Sequence, residues 1–178
     1  MNIVNSARPL KVSCEYRKNK EQLRRSAVHQ AGHSVVGYLL PNIELNRHIN
    51  IRYHKREEIY NDSEVWNHML KQRIMIGMGG YVCEEIFYGH DGVSHESIMD
   101  YKHIKHFVDN KIPIGMRYSS TSGDDIFYEC HDTVYGLLTE NLHIVVGLIP
   151  LILRKETISA KSVNHMIKQL DLKDIFEA

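Results

Sequence analysis

Between Glu21 and Leu40 the apolar residues Leu23, Ala27, Val28, Ala31, Val35, Val36, Leu39 and Leu40 recur at helical intervals, and Pro41 follows. That period builds one apolar helix face, and a proline stops the helix because it lacks an N–H and its ring clashes with the turn before it. The same segment carries His29 and His33, four positions apart. On a helix such a pair lies one above the other, so both imidazoles can reach one ion at ~2.0–2.1 Å. Taken alone, the pair is also what a solvated helix face can show in a chain with 12 histidines.

The rest of the chain reads as further helices around a small β element. Ile43 to Tyr60 alternates, with Ile49, Ile51 and Tyr53 on one face and Asn50, Arg52 and His54 on the other, which predicts one or two strands. A second helix is expected from Ser63 to Tyr88, ending at Gly89. Gly79 and Gly80 inside it cost about 1 kcal/mol each against Ala, so they mark a close backbone approach. A polar loop, Asp91 to Glu96, leads to a third helix from Ser97 to Lys111, closed by Pro113. A fourth is expected from Asp124 as far as Arg154 with a bend at Pro150, and a last from Ser159 to Leu170. The expected class is mainly α with a small β element after the first motif helix. A polar N-terminal arm, residues 1–20, precedes a single domain, residues 21–178.

Composition narrows the function. A chain of 178 residues with 43% hydrophobic and 25% charged residues can bury a core without disulfides. Lys and Arg number 22, as do Asp and Glu, so there is no basic excess for general nucleic-acid binding. The longest apolar run, Leu142 to Leu153, is short of the ~20 residues that span a bilayer and contains His143, Gly147 and Pro150. The first residues lack the apolar stretch of a secretory signal. Cys14, Cys83 and Cys130 are odd in number and far apart, which points to reduced thiols. The expected location is the cytoplasm or another reducing intracellular compartment.

Around the histidine pair the sequence is Val28-His29-Gln30-Ala31-Gly32-His33-Ser34. In H-E-x-x-H metallopeptidases the residue after the first His is a Glu that takes a proton from the metal-bound water. Here it is Gln30, which differs by one NH₂ in place of an oxygen.

The segment from Ala27 to Pro41 resembles the peptidase domain of the FtsH-type, ATPase-linked zinc metallopeptidases, whose motif is H-E-A-G-H followed by an apolar helix. Gly79-Gly80-Tyr81-Val82-Cys83-Glu84-Glu85-Ile86-Phe87-Tyr88-Gly89 is similar to that family's G-G-R-A-A-E-E-I-x-x-G, with Tyr81 in place of Arg. Leu138-Thr139-Glu140-Asn141 and Lys155-Glu156-Thr157-Ile158 look like its C-terminal helices, so the resemblance runs over residues 21–170.

The resemblance implies a helical zincin-like peptidase domain that holds Zn²⁺ and acts on polypeptides. Its metal ligands would be His29, His33 and, from Glu96-Ser97-Ile98-Met99-Asp100, the carboxylate of Asp100. Glu84 and Glu85 are rivals for the third place, since many zincins use a downstream Glu; the family makes them packing groups or groups that orient a ligand histidine. His103 and His106 are further candidates, with a solvated face as the plainer reading.

With Gln30 at the position of the general base, hydrolysis is expected to be greatly reduced, general acid–base assistance being worth ~10²–10⁴-fold. Two origins fit Gln30: a native residue in a pseudopeptidase that binds without cutting, or a Glu-to-Gln replacement in an active peptidase. A purely structural helical domain is a third possibility. No G-x-x-x-x-G-K-[ST] occurs, so the expectation is either an excised or free-standing peptidase-like domain or one that works with a separate ATPase partner. The run from Leu142 to Leu153 is either a deep core helix or a surface for self-association or a partner.

Overall fold

A computed structural model describes residues 19–40, 49–50, 66–111 and 123–177. The N-terminal arm to residue 18, the strands expected on either side of 49–50, the start of the second helix at 63–65 and the stop at Pro113 lie outside these residues. The elements in order are α1 (Lys20–Leu39), β1 (Ile49–Asn50), α2 (Trp66–Tyr88), a 3-10 turn (His90–Gly92), α3 (His95–Lys111), α4 (Gly123–Glu140), α5 (Leu142–Lys155), β2 (Thr157–Ile158) and α6 (Ala160–Glu177). The chain is mainly helical.

Helix α1 is the axis of the fold. Asn19 and Gln22 start it as a capping box: Gln22 N–H donates to Asn19 Oδ1 (2.9 Å) and Asn19 N–H to Gln22 Oε1 (2.8 Å). From Ser26 to Gly37 every residue except Gln30 is buried. A helix covered on nearly all sides needs small residues where a neighbour crosses closely, and α1 meets α2 at Gly32 and Gly79. A Cβ on Gly79 would lie 2.9 Å from the Gly32 carbonyl oxygen and 3.0 Å from His33 Cα. The two glycines thus exchange helix propensity for a backbone-to-backbone crossing.

Helices α4, α5 and α6 also pack on α1, and α3 lies on α2 and α4. Fully buried Val28 and Val35 of α1 share the core with Ile74 and Met78 of α2, Phe127 and Leu138 of α4, Ile144, Leu148 and Ile152 of α5, and Ile167 of α6. At ~1.5–3 kcal/mol for each large side chain taken fully out of water, this cluster is the main source of stability.

Helix α2 ends at Gly89, whose φ of 75° and ψ of 164° suit only a residue without a Cβ. The Arg25 guanidinium on α1 then donates to the Gly92 carbonyl (2.6 Å), tying the short turn back to the axis and setting where α3 begins.

The expected helix from Asp124 to Arg154 is two helices. They break at Asn141 and stand 80° apart, while Pro150 sits inside α5 without ending it. The backbone leaves the helical path at Asn141 (φ −112°, ψ 29°), whose side-chain amide also donates to the Leu137 carbonyl (2.9 Å). Pro150 is tolerated because it lies on the exposed side with Val146, the residue whose carbonyl loses its partner, and water can serve there. Helix α5 also departs from a uniformly covered core helix: Ile144, Val145, Leu148 and Ile152 are buried, but Leu142 and Val146 are exposed.

The β element is a minimal antiparallel pair, Ile49 opposite Ile158 and Asn50 opposite Thr157, which joins the segment after α1 to the start of α6. Among the described residues no single helix is long and apolar enough to cross a membrane.

Candidate metal centre

His29 and His33 project from the buried middle of α1 toward α2 and α3, and both are buried. Gly80 of α2 leaves the space they occupy: a Cβ there would meet His29 Nδ1 at 2.5 Å and His33 Nε2 at 2.6 Å. The paired glycines noted in the sequence therefore do two jobs, Gly79 for the helix crossing and Gly80 for the imidazoles.

The two rings are held by their Nδ1 atoms. His33 Nδ1 lies 2.6 Å from the carbonyl oxygen of Ile76, which can only accept, so that nitrogen carries a hydrogen. His29 Nδ1 lies 2.6 Å from Ser97 Oγ. Both Nε2 atoms then turn inward and stand 2.9 Å apart, with Asp100 Oδ2 3.3 Å from His29 Nε2. Ligand atoms of His29, His33 and Asp100 all lie within 4.8 Å of one another.

Two imidazole nitrogens and a carboxylate oxygen at these distances need a positive charge among them, either a proton or a cation. The donor set, two buried His and one partly exposed Asp, could hold a metal ion. The backbone carbonyl and hydroxyl behind the rings fit the usual support of ligand histidines.

Electrostatics agree with a site built for positive charge. Burial works against a charged His29, but the carboxylates of Asp100 and Glu84 outweigh it and raise its pKa to about 9. Burial likewise works against the Glu84 carboxylate, yet His29, Ser97 and the Ser94 backbone hold its pKa below the usual value.

Of the rivals for the third ligand, Glu84 lies behind His29 rather than beside the inward nitrogens, with Oε1 3.4 Å from His29 Nδ1. It accepts from Ser94 N–H (2.8 Å), Ser94 Oγ (3.0 Å) and Ser97 Oγ. Glu85 is engaged elsewhere, between His90 Nδ1 (2.9 Å) and His131 Nε2 (3.0 Å). His103 and His106 are exposed on the outer face of α3. Tyr81, where the resembled family has Arg, stacks its ring on Tyr101 at 4.0 Å and so pins α3 to α2 one residue beyond Asp100.

Gln30 follows His29 and is half-buried, the one opening in the covered stretch of α1. The spacing of the sequence pointed to the two histidines, and the family resemblance to Asp100. It did not single out Ser97, Ser94 or the Ile76 carbonyl. A serine three residues before the aspartate was the available signal for the first of these; a backbone carbonyl leaves none.

Compared with models of known protein families, the chain matches none, and no curated protein matches it in sequence.

Proposed function

We propose that this chain is an FtsH-like zinc metalloendopeptidase domain, zincin-like in its helical frame, that acts on polypeptides and is hydrolytically impaired by Gln30. The observation that carries the proposal is the meeting of His29 Nε2, His33 Nε2 and Asp100 Oδ2 in one buried cluster, each ring tied from behind at Nδ1. The H-Q-A-G-H and G-G-Y-V-C-E-E segments support the family.

Bound zinc would supply acidification of water and polarisation of the scissile carbonyl. His29, His33 and Asp100 would hold it. The Gln30 amide, at the half-open position beside His29, can hydrogen-bond a water or a peptide group. It can neither accept a proton at neutral pH nor return one to a leaving amine.

Gln30 equally favours a second reading, a pseudopeptidase that works as a non-hydrolytic protein-binding module. In both cases the partner is a polypeptide, which an ATPase would deliver where it must first be unfolded. The exposed apolar side of α5, with Leu142 and Val146, is the surface we assign to a partner or a second copy.

Zinc analysis of the purified chain, with hydrolysis of an unfolded polypeptide by the chain and its Gln30→Glu variant, tests both readings. Zinc with activity gained in Gln30→Glu supports the peptidase. Zinc with no activity in either supports the binding module. No zinc removes both.

A further inference from the structure

We propose that Ser97 is a positioning residue that decides which nitrogen of His29 is offered to the metal, by accepting a hydrogen bond from Nδ1 while donating its own to Glu84. The inference rests on the metal-binding reading above and adds to it a part for a residue outside the ligand set.

The direction of the chain of hydrogen bonds follows from counting hydrogens. The Ser94 backbone N–H can only donate, and it points at Glu84 Oε2 (2.8 Å). Glu84, as a carboxylate, can only accept. Ser97 Oγ has one hydrogen, and its contact with Glu84 Oε1 uses it. Toward His29 the same oxygen has only lone pairs left, so at 2.6 Å the hydrogen must sit on His29 Nδ1. In the neutral ring, the form in which an imidazole ligates a metal, that leaves Nε2 with its lone pair directed at His33 and Asp100.

The position suits the task. Ser97 is fully buried, and its own N–H donates to Ser94 Oγ (3.3 Å) in the first turn of α3. The hydroxyl is therefore fixed by the same turn that carries Asp100 three residues later, so one helix start sets both a ligand and the orientation of another ligand. Glu84 alone would serve less well, because at 3.4 Å from His29 Nδ1 it is beyond a good hydrogen bond.

The test uses two near-isosteric variants of the whole chain, with Zn²⁺ as the probe. Ser97→Ala removes the acceptor. Glu84→Gln reverses the relay: the Ser94 N–H still requires the amide oxygen, so the amide NH₂ faces Ser97, whose hydroxyl then donates to His29 Nδ1. Chelator competition should show zinc affinity lowered by about 10–100-fold in each variant. In the zinc-loaded wild type, NMR should show a slowly exchanging His29 Nδ1 proton, which Ser97→Ala should lose.

If the wild type takes up no zinc, the metal reading falls and the relay with it. If the wild type binds zinc and both variants bind it as tightly, the relay alone is overturned. Absence of the protected Nδ1 proton in the zinc-loaded wild type also overturns it, whatever the variants' stability.

Discussion

One nitrogen in place of one oxygen separates Gln30 from the glutamate of an H-E-x-x-H site, and the consequence is confined to proton transfer. On the peptidase reading, Gln30→Glu should raise hydrolysis of an unfolded polypeptide by ~10²–10⁴-fold while leaving zinc affinity nearly unchanged, read by peptide release and metal titration side by side. His29 gives a second expectation at this scale. Its folded pKa of about 9 lies above the ordinary 6.5, so in the metal-free protein its charge contributes stability that is fully present below pH 6.5 and is lost as pH rises through 9. Denaturant midpoints of chelator-treated protein should therefore fall between pH 7 and 10 on this account, and His33→Gln, which leaves His29 and both carboxylates in place, should keep most of that fall. A flat profile would contradict it. The two candidate ligand histidines were legible because i,i+4 spacing is itself a geometric statement, whereas Asp100 was expected only from the family resemblance. Ser97 and Glu84 were harder, since what matters is which of two carboxylates faces inward: Glu84 supports His29, whereas its neighbour Glu85 pairs with His90 and His131.

At the level of elements, glycines decide how α1 meets its neighbours. Gly80→Ala would push a methyl group against both imidazoles, and Gly79→Ala would push one against the Gly32 carbonyl and His33 Cα. Each should cost about 1–3 kcal/mol in urea unfolding, but Gly80→Ala should also weaken zinc binding by displacing the rings. Equal zinc affinity in Gly80→Ala and the wild type would count against the placement of the rings. The helices themselves were readable from apolar period and breakers, though α6 runs on to Glu177 where an end at Leu170 was expected. The break between α4 and α5 was not. Proline is the stronger breaker in isolation, yet Pro150 lies on a wet helix face where its missing N–H costs little, and the backbone turns out of the helix at Asn141, which leaves no mark in the hydrophobic pattern. The apolar run of α5 was misleading in a similar way. Ile144, Val145, Leu148 and Ile152 are core, while Leu142 and Val146 face outward.

Across the whole molecule, the candidate ligands would join the central helix α1 to α3, two elements otherwise held relative to each other through α2, the short turn after it and α4. A metal bound only by the folded chain stabilises it by mass action, about 2.7 kcal/mol at a free concentration one hundred times the dissociation constant. Thermal unfolding should therefore shift upward with added Zn²⁺ and return on chelation, and the shift should vanish in His33→Ala. The most direct measurement is a zinc titration of the chain beside its Asp100→Ala variant, with X-ray absorption at the zinc edge of the loaded protein. One zinc per chain, bound by two imidazole nitrogens and a carboxylate oxygen at ~2.0–2.2 Å and held much more weakly by Asp100→Ala, is the expected result. No uptake, or equal uptake by both proteins, would contradict a metal centre formed by His29, His33 and Asp100.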